Sequence, residues 1–190
     1  MSEFSTVLKF GQEGENLIAN WLRNRGWNVL PVYEKEGGDY KGPRLFTPTD
    51  GLIAPDLWAI REAQGTWKME LTWIEAKHKA GFDYHRITGD LVTGIDERHY
   101  LDYLKIADLT RKSMDFFILF LQRGIGTKNS RFPTPAGLYG KSIHHLRKNE
   151  HHRHSGMVYW DESAFEKMAE LDDLHIVYRE NQTASMLYRQ

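Results

Sequence analysis

Residues 115–121 read Asp-Phe-Phe-Ile-Leu-Phe-Leu, with six apolar side chains in an unbroken row. A strand with one wet face alternates apolar and polar residues, so a run without alternation predicts a strand covered on both faces. The covering helices are legible on either side of it in sequence. Phe10 to Arg25 places Leu17, Ile18, Trp21 and Leu22 at helical spacing, and Gly26 after Arg23 and Arg25 supplies the stop. Asp96 to Lys112 places Tyr100, Leu101, Leu104 and Ala107 at spacings of three and four, with Arg111 and Lys112 closing the helix. Tyr100 and Tyr103 can both reach inward from this helix, and core packing is the better reading for Tyr100.

Three further strands are expected between these helices. Trp27 to Tyr33 is the first. Glu34 to Asp50 is polar and rich in Gly and Pro, which reads as a surface loop. Leu57 to Ile60 and Met69 to Ile74 are rich in β-branched and aromatic residues, and Gly65 between them supplies the turn of a hairpin. The resulting order is α-β-β-β-α-β, an α/β fold with a mixed central sheet flanked by helices.

That hairpin carries the chain's most informative charges, in Pro55-Asp56 and in Glu75-Ala76-Lys77. Side chains alternate along a strand, so Glu75 and Lys77 share a face, and pairing of the strands brings Asp56 towards it. Two carboxylates and an ammonium gathered at one end of a sheet are costly without a partner. A hard divalent cation is the natural one. Mg²⁺ is held by one or two carboxylates plus substrate phosphate and can activate water at a phosphodiester. Lys77 would then orient the water or stabilise the transition state. The simpler alternative is a turn aspartate and an exposed cross-strand ion pair, against which Trp73-Ile74 predicts that the strand enters the core.

Pro55-Asp56 followed by Glu75-Ala76-Lys77 resembles the motif of the PD-(D/E)xK nucleases, the restriction-endonuclease-like superfamily that includes resolvase-like and phage-type members. The resemblance covers roughly residues 10–121. It implies a restriction-endonuclease-like fold, phosphodiester hydrolysis dependent on Mg²⁺ or Mn²⁺, and catalysis by Asp56, Glu75 and Lys77. Gly11-Gln12-Glu13-Gly14-Glu15 resembles the first-helix segment of resolvase-like members, which makes Glu15 an auxiliary acidic group at the metal site. A helix-start carboxylate favoured by the macrodipole is the alternative for Glu15. Asp39 and Asp50 are turn residues by type, with an extra-ligand role as the other option. The resemblance also implies a DNA substrate, branched or single-stranded forms included, and homodimers are common among such relatives. A nuclease-like fold kept only as a nucleic-acid- or protein-binding module is the competing reading.

After the hairpin, Gly81 to Gly94 shows no periodicity and reads as a loop. The resemblance implies a place beside the scissile strand, with Lys79, His85 and Arg86 as candidate phosphate contacts, and a solvated loop with no ligand is the equal alternative. Gly137 to Ser142 resembles a phosphate-binding loop but lacks its first glycine, where Pro135 stands, and is rejected as one. Residues 144–154 hold five of the nine histidines. With Lys141, Arg147, Lys148 and Arg153 they form the most basic stretch, for which a solvated surface loop and a contact to a nucleic-acid backbone are the two readings. Zinc chemistry on this tract is a third reading, and no H-E-x-x-H pattern supports it. Gly156 to Trp160 is expected as a strand, Glu162 to Leu171 as a helix capped by Asp161, and Leu174 to Tyr178 as a final strand.

The 190 residues suffice for one domain, with a core at about 10–121 and a C-terminal extension at 122–190. A net charge of −1 makes any nucleic-acid contact a local patch. The absence of cysteine excludes disulfides and thiolate zinc sites. No apolar stretch approaches the roughly 20 residues that span a bilayer. The first residues lack a basic-then-apolar leader, and a cytoplasmic protein is the expectation.

Overall fold

The computed structural model describes residues 3–32, 43–63, 65, 67–126 and 133–174, with side chains from residue 9 onward. In chain order the elements are α1 (Glu3–Arg23), β1 (Asn28–Pro31), β2 (Arg44–Phe46), β3 (Gly51–Ile53), β4 (Leu57–Glu62), β5 (Met69–Lys79), β6 (Asp83–Tyr84), β7 (Leu91–Asp96), α2 (Glu97–Thr110) and β8 (Asp115–Gln122). They continue with β9 (Gly137–Ser142), α3 (Ile143–Lys148), β10 (His152–His154), β11 (Met157–Asp161) and β12 (Glu166–Ala169). Asp39, Tyr33 and residues 175–178 of the expected final strand lie outside the described residues, and Leu174, expected to begin that strand, instead closes a helical turn at 171–174.

The central sheet has the order β1-β4-β5-β8-β9-β12, in which β5 and β8 are parallel and the other neighbours antiparallel. The sheet is therefore mixed, as expected, and the α-β-β-β-α-β order is present as α1, β1, β4, β5, α2 and β8. The apolar run in β8 does divide between two cores. Phe116, Ile118 and Phe120 join Tyr100, Tyr103, Ile106 and Trp160 on the α2 side. Leu119 and Leu121 join Leu17, Ile18, Trp21 and Leu22 on the α1 side. Tyr100 is wholly buried there, its hydroxyl donating to Glu150 at 2.9 Å, in keeping with a packing role.

The hairpin is in register Leu57↔Ile74 through Glu62↔Met69, with Trp58 opposite Trp73 and their rings 6.0 Å apart. Cross-strand aromatic pairs of this kind fix register as well as adding stability. Ile74 and Ala76 face the α1 core, while Trp73 packs against the other one. His78 shares the α1 side, its ring stacked 3.6 Å from that of Phe10.

Gly14 makes this approach of α1 to β5 possible. A Cβ at that position would fall 2.4 Å from the His78 Cβ. Gly14→Ala removes a helix-interior glycine and would gain about 1 kcal/mol in an open helix. Here overpacking costs about 1–3 kcal/mol and pushes α1 off the sheet. The expected result is a melting temperature several degrees lower, and a rise in thermal denaturation would refute the contact.

Several segments differ from expectation. Within residues 34–50, expected as a surface loop, Arg44–Phe46 forms β2, which pairs with β3 just beyond. Residues 81–94 are not a loop but contain β6 and most of β7, which pair with each other and carry the chain into the second sheet, of order β10-β11-β7-β6. The His-rich tract is likewise ordered into α3 and β10. Ser142 caps α3 by accepting from the His145 amide at 3.3 Å, and Ile143 and Leu146 bury its inner face. The helix expected at Glu162 to Leu171 is a single 3₁₀ turn, Glu162–Ala164, followed by β12. Pairing of β12 with the open edge of β9, Glu166 opposite Gly140, outweighs its helical composition. Among the described residues no helix is long and apolar enough to cross a membrane.

Candidate functional site

Glu75, Lys77 and Lys79 occupy alternate positions of β5, opposite in face to Ile74, Ala76 and His78. Asp56 precedes β4 and is latched across the hairpin, its Oδ2 accepting the Ala76 amide at 3.0 Å. That bond holds the aspartate beside the face where Glu75 and Lys77 form an ion pair. Glu75 is wholly buried whereas Lys77 is 28% exposed, so the pair opens to solvent through the lysine.

Burial, and then the neighbouring Asp56 charge, push the Glu75 carboxyl up to about 8, against the opposing pull of Lys77 and of a hydrogen bond from the Tyr103 hydroxyl on α2. Neither carboxylate oxygen is fully served by protein donors of good geometry. Lys77 behaves oppositely. Burial disfavours its charge, but Glu75, then Asp56, and more weakly Glu15, raise it above the ordinary lysine value. Lys77 is therefore an ammonium throughout the physiological range. Lys79 is pushed down to about 8 by burial and by the Lys77 charge, with Asp83 opposing.

The oxygen donors of Asp56 and Glu75 fit a hard divalent cation. A buried carboxylate short of donors and crowded by a second negative charge is a group whose charge a cation would stabilise. Glu15 on α1 is near enough for its charge to act on Lys77. Asp56, Glu75 and Lys77 thus lie together on one face, and Glu15 reaches them through the effect of its charge on Lys77. Asp50 lies apart from them in the turn after β2, where its amide is bound by Thr47 at 2.9 Å.

Two groups extend the cluster from α2. Tyr103, named from the sequence as able to reach inward, does so. His99 was missed. Its imidazole is held below the usual value by burial and then by Lys77, with Asp96 and Asp56 acting in opposition, and its ring lies 6.2 Å from that of Tyr103. The available signal was its place one turn before Tyr103 on the same helix face. Tyr103→Phe removes a donor that favours the charged form of Glu75. Its expected effect is weaker divalent-cation binding near neutral pH, recovered as the pH rises. Calorimetric titration at pH 7 and pH 8.5 checks this, and unchanged affinity at both would refute it.

The six candidate nucleic-acid contacts do not make one patch. Lys79 continues the line of the site. His85 and Arg86 occupy the turn between β6 and β7, where the His85 ring stacks on that of His152 at 4.4 Å. Lys141 lies on β9 two strands from Glu75, linked through Ile118, and is paired with Glu166 at 3.0 Å. Arg147 pairs with Asp108 at 3.5 Å, and Lys148 is exposed at the end of α3. An open cavity of about 1020 Å³ lies where β5 and β8 begin, and contains none of Asp56, Glu75 and Lys77.

The chain is similar to a solved structure of Hjc, a Holliday junction resolvase from the archaeal hyperthermophile Archaeoglobus fulgidus. The two are 14% identical, and the match covers 83% of this chain and 91% of the resolvase with a TM-score of 0.46. No family model matches the chain, and no curated protein sequence matches it.

Proposed function

We propose that this protein is a metal-dependent nuclease of the PD-(D/E)xK type that hydrolyses phosphodiester bonds in DNA, acting in the cytoplasm. The observation that carries the reading is the wholly buried Glu75 placed on one face with Lys77 and beside a latched Asp56. A structural ion pair has no use for a second carboxylate that raises the pKa of the first, whereas a cation site does.

In this reading Asp56 and Glu75 hold a Mg²⁺- or Mn²⁺-class ion, with Glu15 as an auxiliary acid. The ion supplies positive charge to the scissile phosphate and acidifies water. Lys77, held as an ammonium, donates to the attacking water or to the phosphoryl oxygens as they gain charge, and is not the base. Lys79, with a pKa lowered to about 8, is still largely an ammonium at neutral pH and contributes to phosphate binding. Arg86, Lys141, Arg147 and Lys148 serve as outlying backbone contacts, and a homodimer would offer two such faces to a branched substrate.

The test is cleavage of labelled single-stranded, double-stranded and four-way-junction DNA and of RNA, with Mg²⁺, Mn²⁺ or EDTA. Metal-dependent cleavage of DNA is the expected result. Binding without cleavage under every condition would replace the reading with that of a binding module.

A further inference from the structure

We propose that His85, His151 and His152 form a binding site for a borderline divalent transition-metal ion, Zn²⁺ above all, which ties the turn between β6 and β7 to the segment entering β10. The site is separate from the Asp56 and Glu75 cluster and does not rest on the nuclease reading.

One ligand atom from each of the three imidazoles falls within 4.8 Å of the others. The rings of His151 and His152 lie 4.9 Å apart, with their Nδ1 atoms facing each other at 2.7 Å. His85 stands at 4.4 Å from His152 and 5.0 Å from His151, ring to ring. Two segments remote in sequence thus converge on three nitrogen donors. Packing alone gives no reason for all three to be imidazoles.

The surroundings aim the nitrogens. Asp90 Oδ2 lies 3.0 Å from His151 Nε2 and Thr88 Oγ1 lies 3.3 Å from it, which turns Nδ1 of that ring towards His152. A carboxylate behind a histidine is the support that fixes the tautomer of a metal ligand. Thr88 also engages His85 Nδ1 at 2.9 Å, leaving Nε2 of that ring for an ion. His152 is fixed by stacking on Tyr159 at 4.6 Å with the planes 4° apart. The backbone of the turn is closed by the His85 amide on the Asp90 carbonyl at 2.9 Å and the Gly89 amide on the His85 carbonyl at 2.8 Å. Gly89 takes the positive φ of 84° that this closure requires.

Imidazole donors select Zn²⁺ and its transition-metal neighbours, whereas Mg²⁺ stays with oxygen. Zinc at about 2.0–2.1 Å from each nitrogen spreads the facing Nδ1 atoms slightly, within reach of small ring rotations, and water completes the tetrahedron.

The experiment uses the full chain, stripped with EDTA, in an Asp56→Asn background so that the carboxylate cluster does not compete. It is titrated with Zn²⁺, followed by calorimetry and thermal melting, and with Co²⁺, followed by visible absorption. One Zn²⁺ per chain bound more tightly than about 1 µM is expected. A rise in melting temperature and a Co²⁺ band of four-coordinate intensity are expected with it, all unaffected by excess Mg²⁺. His85→Phe and His152→Phe keep an aromatic ring in the stack and remove a donor, so they retain the metal-free melt and lose zinc. Asp90→Ala weakens zinc about 10- to 100-fold. Zinc bound equally by the two Phe variants, or no zinc bound below about 100 µM by the parent, overturns the proposal.

Discussion

Asp56→Asn and Lys77→Ala are each expected to lower the rate of DNA cleavage about 1000-fold, the loss of roughly 4 kcal/mol of transition-state stabilisation. The two variants fail for different reasons, and the difference is measurable. Asn at position 56 still offers an oxygen to the Ala76 amide, so the hairpin keeps its latch. It removes the charge that helps to raise Glu75, and the Glu75 carboxyl falls towards its ordinary value. Lys77→Ala deletes the charge that holds Glu75 down, and the carboxyl climbs further. Raising the pH therefore recovers more of the cation affinity of Lys77→Ala than of Asp56→Asn, in which burial alone still raises Glu75 and a ligand is missing. Cleavage by either folded variant at more than a tenth of the parental rate would sink the assignment.

The metal-free protein is expected to lose stability as the pH rises towards 8. Glu75 has a folded pKa of about 8 against 4.5 for an ordinary glutamate, so the folded state binds this proton more tightly than the unfolded state. Its contribution is complete below pH 4.5 and is withdrawn as the pH climbs through 8. The size is on the order of 3–5 kcal/mol, or a fall in melting temperature on the order of 10 °C. Other groups act outside the upper part of that window. His78, His99 and His152 are held below the histidine value, so the stability they add with rising pH is gained by about 6.5. Lys79 adds stability only above pH 8, and the raised Lys77 withdraws none below 10.5. Glu75→Gln flattens the profile between pH 6.5 and 8, and saturating Mg²⁺ restores the parent by mass action. A parental profile in EDTA that is flat over this interval, or one that Glu75→Gln reproduces, would show that the carboxyl is not strained.

What could be read from the sequence was what local pattern encodes. The uninterrupted row in β8 and the motif on the hairpin are properties of a few consecutive residues, and alternation alone puts Glu75 beside Lys77. The elements that were misread depend on distant partners. In β7, Thr93 and Gly94 interrupt the apolar pattern, yet Val92 and Ile95 are buried because β11 pairs alongside. Glu166 to Ala169 has helix-forming composition and becomes a strand because β9 presents an unpaired edge. His99 was invisible for the same reason. A polar residue on an amphipathic helix carries no local mark of facing Lys77, and only the packing of α2 on the sheet supplies it. The basic stretch was visible as composition, but composition did not reveal that Arg147 and Arg153 are matched by Asp108, Glu97 and Glu150.

β5 serves two neighbours at once, with Ile74, Ala76 and His78 given to α1 and Glu75, Lys77 and Lys79 to the charged face. Parity along this strand therefore acts as a reading frame. Inserting or deleting one residue between Thr72 and Lys79 would exchange the two sets, driving the charges into the α1 core and the apolar side chains into the site. A change of length is therefore tolerable only outside this stretch, while within it only substitutions that respect odd and even positions leave both halves of the molecule intact.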